Sequence, residues 1–92
     1  MSDEWDEIGY VISSRYRVTV LKQLADGPAT PSNIASESQL SIAHISRALG
    51  ELREHSLVTL LVSEERKKGR VYGITDRGAE IWEQIEVKNL VE

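Results

Sequence analysis

The 92-residue chain contains no cysteine. A chain without thiols fits a reducing cytoplasm, and it excludes metal sensing through thiolates and redox sensing through disulfides. No apolar run approaches the ~20 residues that a membrane-spanning helix requires. The first residues, MSDE (1–4), are acidic and no apolar stretch follows them. We therefore expect no signal peptide, no membrane partner and a cytoplasmic location.

The sequence also lacks the usual groupings of catalytic residues. It has no glycine-rich phosphate loop and no cysteine nucleophile. Glu64 and Glu65 are adjacent in a predicted turn and point apart, so they do not form an acid/base pair. The two histidines, His44 and His55, are too far apart on one predicted helix to share a metal ion. We expect no enzyme activity, no metal and no cofactor.

Basic residues are fewer than acidic ones, 11 against 15, which gives a net charge of -4. A nucleic-acid-binding domain is usually basic. The charges are unevenly distributed, however, because residues 1–7 carry four acids and residues 76–92 carry five acids with two bases. Residues 8–75 carry nine bases against six acids. Since salt screens charges beyond about 8–10 Å, this basic middle can still attract phosphate, with modest and salt-sensitive affinity.

The length and the absence of repeats or linkers predict one domain over residues 1–92. An amphipathic helix is predicted over 4–12 and another up to Asp26, stopped by Gly27 and Pro28, although one long kinked helix fits equally well. A final helix is predicted to begin at Asp76. The expected inward-facing residues are Trp5, Ile8, Val11, Ile12, Val18, Leu21, Leu24, Ala25, Ala79, Ile81, Trp82 and Ile85.

The central segment contains a helix signal, TPSNIA (30–35), a break, QLS (39–41), and a second helix over 42–54. An apolar strand (57–62), a basic loop (64–70) with a turn at Lys68 and Gly69, and a return strand (71–75) follow. Helix, turn, helix and hairpin in this order predict a mainly α fold with a small β-hairpin (α+β), a winged helix-turn-helix. The apolar stripe of the second helix comprises Ile45, Ala48, Leu49 and Leu52.

This arrangement predicts contacts with double-stranded DNA. The second helix enters the major groove, where a guanidinium such as that of Arg47 can bond guanine O6 and N7 together. Hydroxyls near the helix starts and the basic hairpin loop suit phosphate or the minor groove. The candidate DNA-binding residues are Thr30, Ser32, Ser41, Ile42, Ala43, His44, Ser46, Arg47, Arg66, Lys67, Lys68 and Arg70.

Several of these residues have a plainer interpretation. Arg47 can be a solvated residue that pairs with Glu51 at i+4, His44 can be simply exposed, and the basic loop can be a solvated turn. Gly50 either permits a close approach or is merely tolerated. Trp5 and Trp82 belong either to the core of the monomer or to a dimer seam.

Five runs of residues resemble ArsR/MarR-type winged-helix regulators. The runs ISRALGEL (45–52) and SLV (56–58) resemble their V-S-x-x-L-x-x-L-x-x-x-G-L-V pattern, and ITDRG (74–78) is similar to their L-T-x-x-G. SSRYR (13–17) and TPSNIA (30–35) look most like small single-domain archaeal members. The likeness covers about residues 8–82 and implies DNA binding rather than metal sensing. Ser56 stands where the group usually has glycine in a left-handed backbone.

The sequence therefore predicts a cytoplasmic transcriptional regulator that binds specific double-stranded DNA as a homodimer. Helix 42–54 occupies the major groove and the wing, residues 63–70, contacts the backbone or the minor groove. The terminal helices, 4–26 and 76–89, are the predicted dimer seam, because winged-helix regulators usually bind paired half-sites. The alternative function is a winged-helix module for protein–protein interaction in a transcription or chromatin assembly. The sequence leaves a small-molecule effector unknown.

Overall fold

The computed structural model of the chain describes residues 3–62 and 70–90. The described residues form five helices and two strands: α1 (Asp3–Ile12), α2 (Arg15–Asp26), α3 (Pro31–Ser38), α4 (Ile42–Glu54), β1 (Val58–Leu60), β2 (Tyr72–Ile74) and α5 (Asp76–Val87). The predicted order of helix, turn, helix and hairpin strands is confirmed. The turn predicted at Lys68 and Gly69 lies outside the described residues.

Side-chain oxygens cap the starts of four helices. The hydroxyls of Ser14, Thr30, Ser41 and Thr75 each accept a hydrogen bond from a backbone N–H in the first turn. The extended backbone of Ser14, with φ of -139°, separates α1 from α2. The alternative of one long kinked helix is therefore wrong.

Both strands are shorter than predicted. They pair antiparallel with Val58 opposite Ile74 and Leu60 opposite Tyr72. The same register continues in backbone hydrogen bonds at both ends, because Thr75 N–H donates to the Leu57 carbonyl at 3.1 Å and Leu61 N–H donates to the Val71 carbonyl at 2.8 Å. On the other edge of β2, Ala29 and Tyr72 exchange two backbone hydrogen bonds of 2.9 and 3.1 Å. The final helix also ends earlier than the predicted residue 89.

The predicted stripe of α4 is confirmed, since Ile45, Ala48, Leu49 and Leu52 are all buried. The inward position predicted for Ile12, Ala25 and Ala79 is wrong, because all three are exposed. Trp5 is also exposed, so it does not belong to the core of the monomer, and its alternative place in a dimer seam stays a prediction. The helices of these four residues instead bury residues at helical spacing: Ile8 and Val11 in α1, Val20, Leu21 and Leu24 in α2, and Gly78, Ile81, Trp82 and Ile85 in α5.

Two backbone positions explain motifs at the junction of α4, β1 and α5. Ser56 has φ of +62°, so the left-handed conformation expected from the glycine of related sequences is confirmed. Gly78 lies so close to Leu57 that a Cβ at this position would collide with the Leu57 carbonyl oxygen. The hydroxyl of Thr75 bridges the same junction, because it donates to the Ser56 carbonyl at 2.7 Å and accepts from Gly78 N–H at 2.9 Å.

Candidate nucleic-acid interface

The first half of α4 is presented to solvent on a rigid support. The helix packs against α2, α3 and β1 through its buried stripe. The predicted outward residues are all exposed, with half of the Ile42 surface accessible (50%). The exposed set comprises Ile42, Ala43, His44, Ser46 and Arg47.

The hydroxyls predicted to bind phosphate lie at the starts of α3 and α4. Asn33 N–H donates to the Thr30 hydroxyl at 3.1 Å, and Ala43 N–H donates to that of Ser41 at 3.2 Å. In each of these contacts the hydroxyl accepts, so its own O–H can still donate a hydrogen bond to a phosphate oxygen. Ser32 is exposed in the first turn of α3. Because α3 packs against α4, the two helix starts belong to one helix-turn-helix unit.

The predicted wing contacts are only partly visible. Arg66, Lys67 and Lys68 lie outside the described residues. Arg70 is half-buried two residues before the start of β2. The strand that follows, β2, packs against α2 and α5, and its partner β1 packs against α4.

The two polar side chains expected to contact bases each have a neighbour. The ring of His44 stacks on Tyr16 of α2, with centroids 4.7 Å apart and planes at 28°. Arg47 Nε lies 3.6 Å from Glu51 Oε2, so the i+4 pair anticipated as the plainer interpretation is present. The Arg47 side chain nevertheless remains 78% exposed. A surface pair of this kind contributes only ~0–1 kcal/mol and does not prevent contact with DNA.

The sequence patterns did not reveal the role of Arg17. Its guanidinium donates to the Tyr10 carbonyl through Nε at 2.7 Å, to Glu51 Oε1 through Nη1 at 2.8 Å and to Ser13 Oγ through Nη2 at 2.8 Å. The guanidinium also lies over the Tyr10 ring, 4.0 Å from the centroid. The contact between Arg17 and Glu51 joins residues 34 positions apart, so no helical spacing in the sequence reveals it.

An open groove of about 400 Å³ runs between the start of α2 and the first half of α4. Tyr16, Arg17, His44, Arg47 and Glu51 are among its lining residues. The groove therefore places the network of Arg17 beside the two side chains predicted to contact bases.

The other end of α4 is joined to the terminal helices. His55 stacks on Tyr10 with centroids 3.9 Å apart, and its Nδ1 lies 3.1 Å from Glu7 Oε1. Arg77 of α5 also pairs with Glu7, at 3.2 Å. Burial raises the pKa of the Tyr10 phenol above its ordinary value of 10.0, against an opposing effect of Arg17, so the phenol is neutral at physiological pH.

The two histidines thus lie at opposite ends of α4 with different partners. Within residues 3–62 and 70–90, no group of three or more potential ligands could hold a metal ion. No helix in the same part of the chain is long and apolar enough to cross a membrane.

These elements and their order define a winged helix, and solved structures share the fold. Quinone-bound YodB from B. subtilis has a TM-score of 0.77 and 17% identity, over 97% of this chain and 94% of that one. NMB1585, a MarR family regulator from Neisseria meningitidis, has a TM-score of 0.75 and 20% identity, over 92% of this chain and 61% of that one. A mutant of ZitR from Lactococcus lactis has a TM-score of 0.74 and 18% identity, over 84% of this chain and 53% of that one. Identities this low establish the fold alone.

The family is established separately from the fold. The sequence model of one protein family, described as the HVO_A0261 N-terminal domain, matches residues 5–90 of this chain. The chain belongs to the HVO_A0261 N-terminal domain family. It spans about half the length of the first solved structures that it matches. No curated protein sequence matches it significantly.

Proposed function

We propose that this domain is a transcriptional regulator that binds specific double-stranded DNA in the cytoplasm. Helix α4 enters the major groove, and the wing, residues 63–70, contacts the backbone or the minor groove. The observation that carries the proposal is the exposure of His44 and Arg47 on the first half of a helix whose other face is fully buried. That is the arrangement by which a recognition helix presents side chains to base edges. The MarR-family regulators among the structural neighbours support it through the fold.

A homodimer formed by α1 and α5 completes this proposal. The two helices pack together, and the Lys88 ammonium lies 5.2 Å from the centroid of the Trp5 ring. This contact brings the start of α1 to the end of α5, where Trp5 is 56% and Val87 72% exposed. A second copy of the chain would cover this apolar surface and give two α4 helices for paired half-sites.

The dimer is tested by light scattering coupled to size-exclusion chromatography. We expect the mass of a dimer for the natural chain and of a monomer for the double variant Trp5→Ala, Val87→Asp. Ile42→Asp places the same charge at an exposed apolar residue outside this surface and should leave the dimer intact. A monomeric natural chain would contradict this part of the proposal.

DNA binding is tested by fluorescence anisotropy with a mixed-sequence duplex at low and high salt. We expect binding that weakens by at least about tenfold between about 50 and 200 mM salt, because phosphate contacts release counterions. Arg47→Ala should weaken binding, whereas Arg53→Ala, the same charge change at the other end of α4, should do so less. The double variant Lys67→Ala, Lys68→Ala should lower the salt dependence. No detectable binding at low salt would refute the proposal.

A second function remains for a specific reason. Ile42 is half exposed at the centre of the candidate interface, and the whole chain carries a net charge of -4. Both features suit a winged helix that binds another protein of a transcription or chromatin assembly. A stable protein partner recovered from nuclease-treated extract, together with no duplex affinity in the anisotropy experiment, would favour this function.

A further inference from the structure

Glu51 lies between two arginines of different character. Its Oε1 accepts a hydrogen bond of 2.8 Å from Arg17 Nη1, and its Oε2 lies 3.6 Å from Arg47 Nε. The Arg17 side chain is 14% exposed, whereas that of Arg47 is 78% exposed. One carboxylate therefore joins a nearly buried guanidinium to one that faces solvent.

Arg17 has little freedom to move. Its Nε donates to the Tyr10 carbonyl and its Nη2 to Ser13 Oγ, so it holds the end of α1 and the loop that follows. The planar guanidinium has a rigid fork of donors, and here each nitrogen has an acceptor. Arg17 consequently fixes the position of the Glu51 carboxylate.

The contact between Arg47 and Glu51 leaves the end of the guanidinium available. It uses Nε, and the two terminal amino groups carry the remaining N–H donors. Guanine O6 and N7 accept two such donors together in the major groove. A long exposed side chain loses rotamer freedom when it binds, and a carboxylate that already restrains it reduces that loss.

His44 is supported by the same segment of α2. Its ring stacks on Tyr16, the residue that precedes Arg17, at 4.7 Å. The start of α2 therefore contacts both side chains that are candidates for base contact, His44 directly and Arg47 through Glu51.

We propose that Glu51 and Arg17 are positioning residues that hold Arg47 in the orientation for base recognition. The inference rests on the proposed DNA-binding function and names the residues that set its sequence preference. Glu51 acts on preference and not on general affinity, because its negative charge opposes attraction to phosphate. Arg17 acts through Glu51 and does not itself contact DNA.

The test begins with a duplex selected by the natural protein from a randomised pool. Anisotropy then gives the ratio of its affinity to that of a scrambled duplex of equal length and composition. For Glu51→Gln, which keeps the shape of the side chain, we expect this ratio to fall roughly threefold to tenfold. Affinity for the scrambled duplex should be unchanged or higher. In an Arg47→Ala background the same substitution should leave the ratio unchanged.

A thermal melt of each variant separates positioning from folding. If Glu51→Gln does not fold, Arg17→Lys serves instead, since it keeps the charge but cannot reach all three acceptors. It should lower the ratio in the same direction. A ratio that stays constant or rises in a folded variant would overturn the inference, because Glu51 would then be structural or would restrain Arg47 away from DNA. An equal fall in the Arg47→Ala background would also overturn it.

Failure of the proposed function has a different signature. In that case the natural protein enriches no duplex from the randomised pool and shows no binding to the pool itself. Failure of the positioning role leaves strong selection by the natural protein, with the same preference in Glu51→Gln.

Discussion

The two ends of α4 carry the same pair of rings in different surroundings. His44 stacks on Tyr16 at 4.7 Å and is exposed. His55, which caps the other end, stacks on Tyr10 at 3.9 Å and lies 3.1 Å from the Glu7 carboxylate. The pair of His55 and Tyr10 is also joined to α5, because Glu7, which lies beside His55, pairs with Arg77 of that helix.

This difference separates binding from stability along a single helix. The C-terminal half of α4 (residues 48–55) connects the helix to α1, α5 and the core, so removing its buried side chains or the ring of His55 should reduce stability. Glu51, which faces Arg47, is the exception in this half. In the N-terminal half (residues 42–47) every side chain except that of Ile45 is exposed, so substitutions at the exposed positions should change DNA binding with little effect on folding. The following predictions test that separation.

The largest effect is expected for Leu52→Ala in the C-terminal half. Leu52 is fully buried, and the lost side chain leaves a cavity, so the free energy of unfolding should fall by about 2–5 kcal/mol. Ile42→Ala, half exposed in the N-terminal half, should change it by less than about 0.5 kcal/mol. Urea titrations followed by circular dichroism give both values. Similar losses for the two variants would remove the distinction between the halves.

Two glycines provide the next comparison. Gly78→Ala should cost about 1–3 kcal/mol, since the added Cβ collides with the Leu57 carbonyl beside the C-terminal half. Gly50→Ala should stabilise the protein by up to about 1 kcal/mol, because no described atom lies within 4 Å of the added Cβ and alanine favours the helix. Thermal melts compare the two. A destabilising Gly50→Ala, or a harmless Gly78→Ala, would contradict the packing described.

The two histidines test the comparison directly. His55→Ala should lower the free energy of unfolding by about 0.5–1.5 kcal/mol through the lost ring contact, with little change in DNA affinity. His44→Ala should weaken DNA binding several-fold and destabilise less, because its ring is exposed. Chemical unfolding and duplex anisotropy are measured on both variants. If His55→Ala impaired binding more than His44→Ala while still folded, the assignment of the halves would be reversed.

The smallest effect is expected just after the helix. Ser56→Gly relieves a left-handed backbone that costs a residue with a Cβ about 1–2 kcal/mol, but glycine loses more entropy on folding, so the net gain should be below about 1 kcal/mol. Ser46→Gly, inside the helix, should destabilise by a similar amount. In thermal melts we expect a higher melting temperature for Ser56→Gly and a lower one for Ser46→Gly than for the natural protein. A loss at Ser56 would show that its side chain matters more than its backbone.

Periodicity and capping signals predicted the elements because they are local. Thr30 and Ser41 mark helix starts, and the stripe from Ile45 to Leu52 gives the buried face of α4. The positions of α4 that do not belong to this buried stripe were predicted to be exposed, and in the N-terminal half they are. The sequence left both Trp5 and Trp82 open between the core and a dimer seam, because hydrophobicity alone cannot show whether a large side chain is covered within one copy of the chain; Trp82 is buried and Trp5 is exposed.

The long-range contacts could not be predicted in this way. Arg17 reaches Glu51 across 34 positions and His55 reaches Glu7 across 48, so no helical spacing relates them. They depend on how α1 and α2 pack against α4, which only the tertiary structure provides. The DNA contacts of Thr30, Ser32 and Arg47 stay predictions, as do the ArsR likeness and the archaeal origin.

The most direct test is a map of backbone amide chemical shifts in the isotope-labelled protein as duplex DNA is added. We predict that the largest changes fall at Ser32, His44, Ser46 and Arg47, with small changes at Trp5, His55 and Val87. Changes concentrated in α1 and α5, or the absence of changes at low salt, would contradict the assignment of the N-terminal half of α4 to DNA.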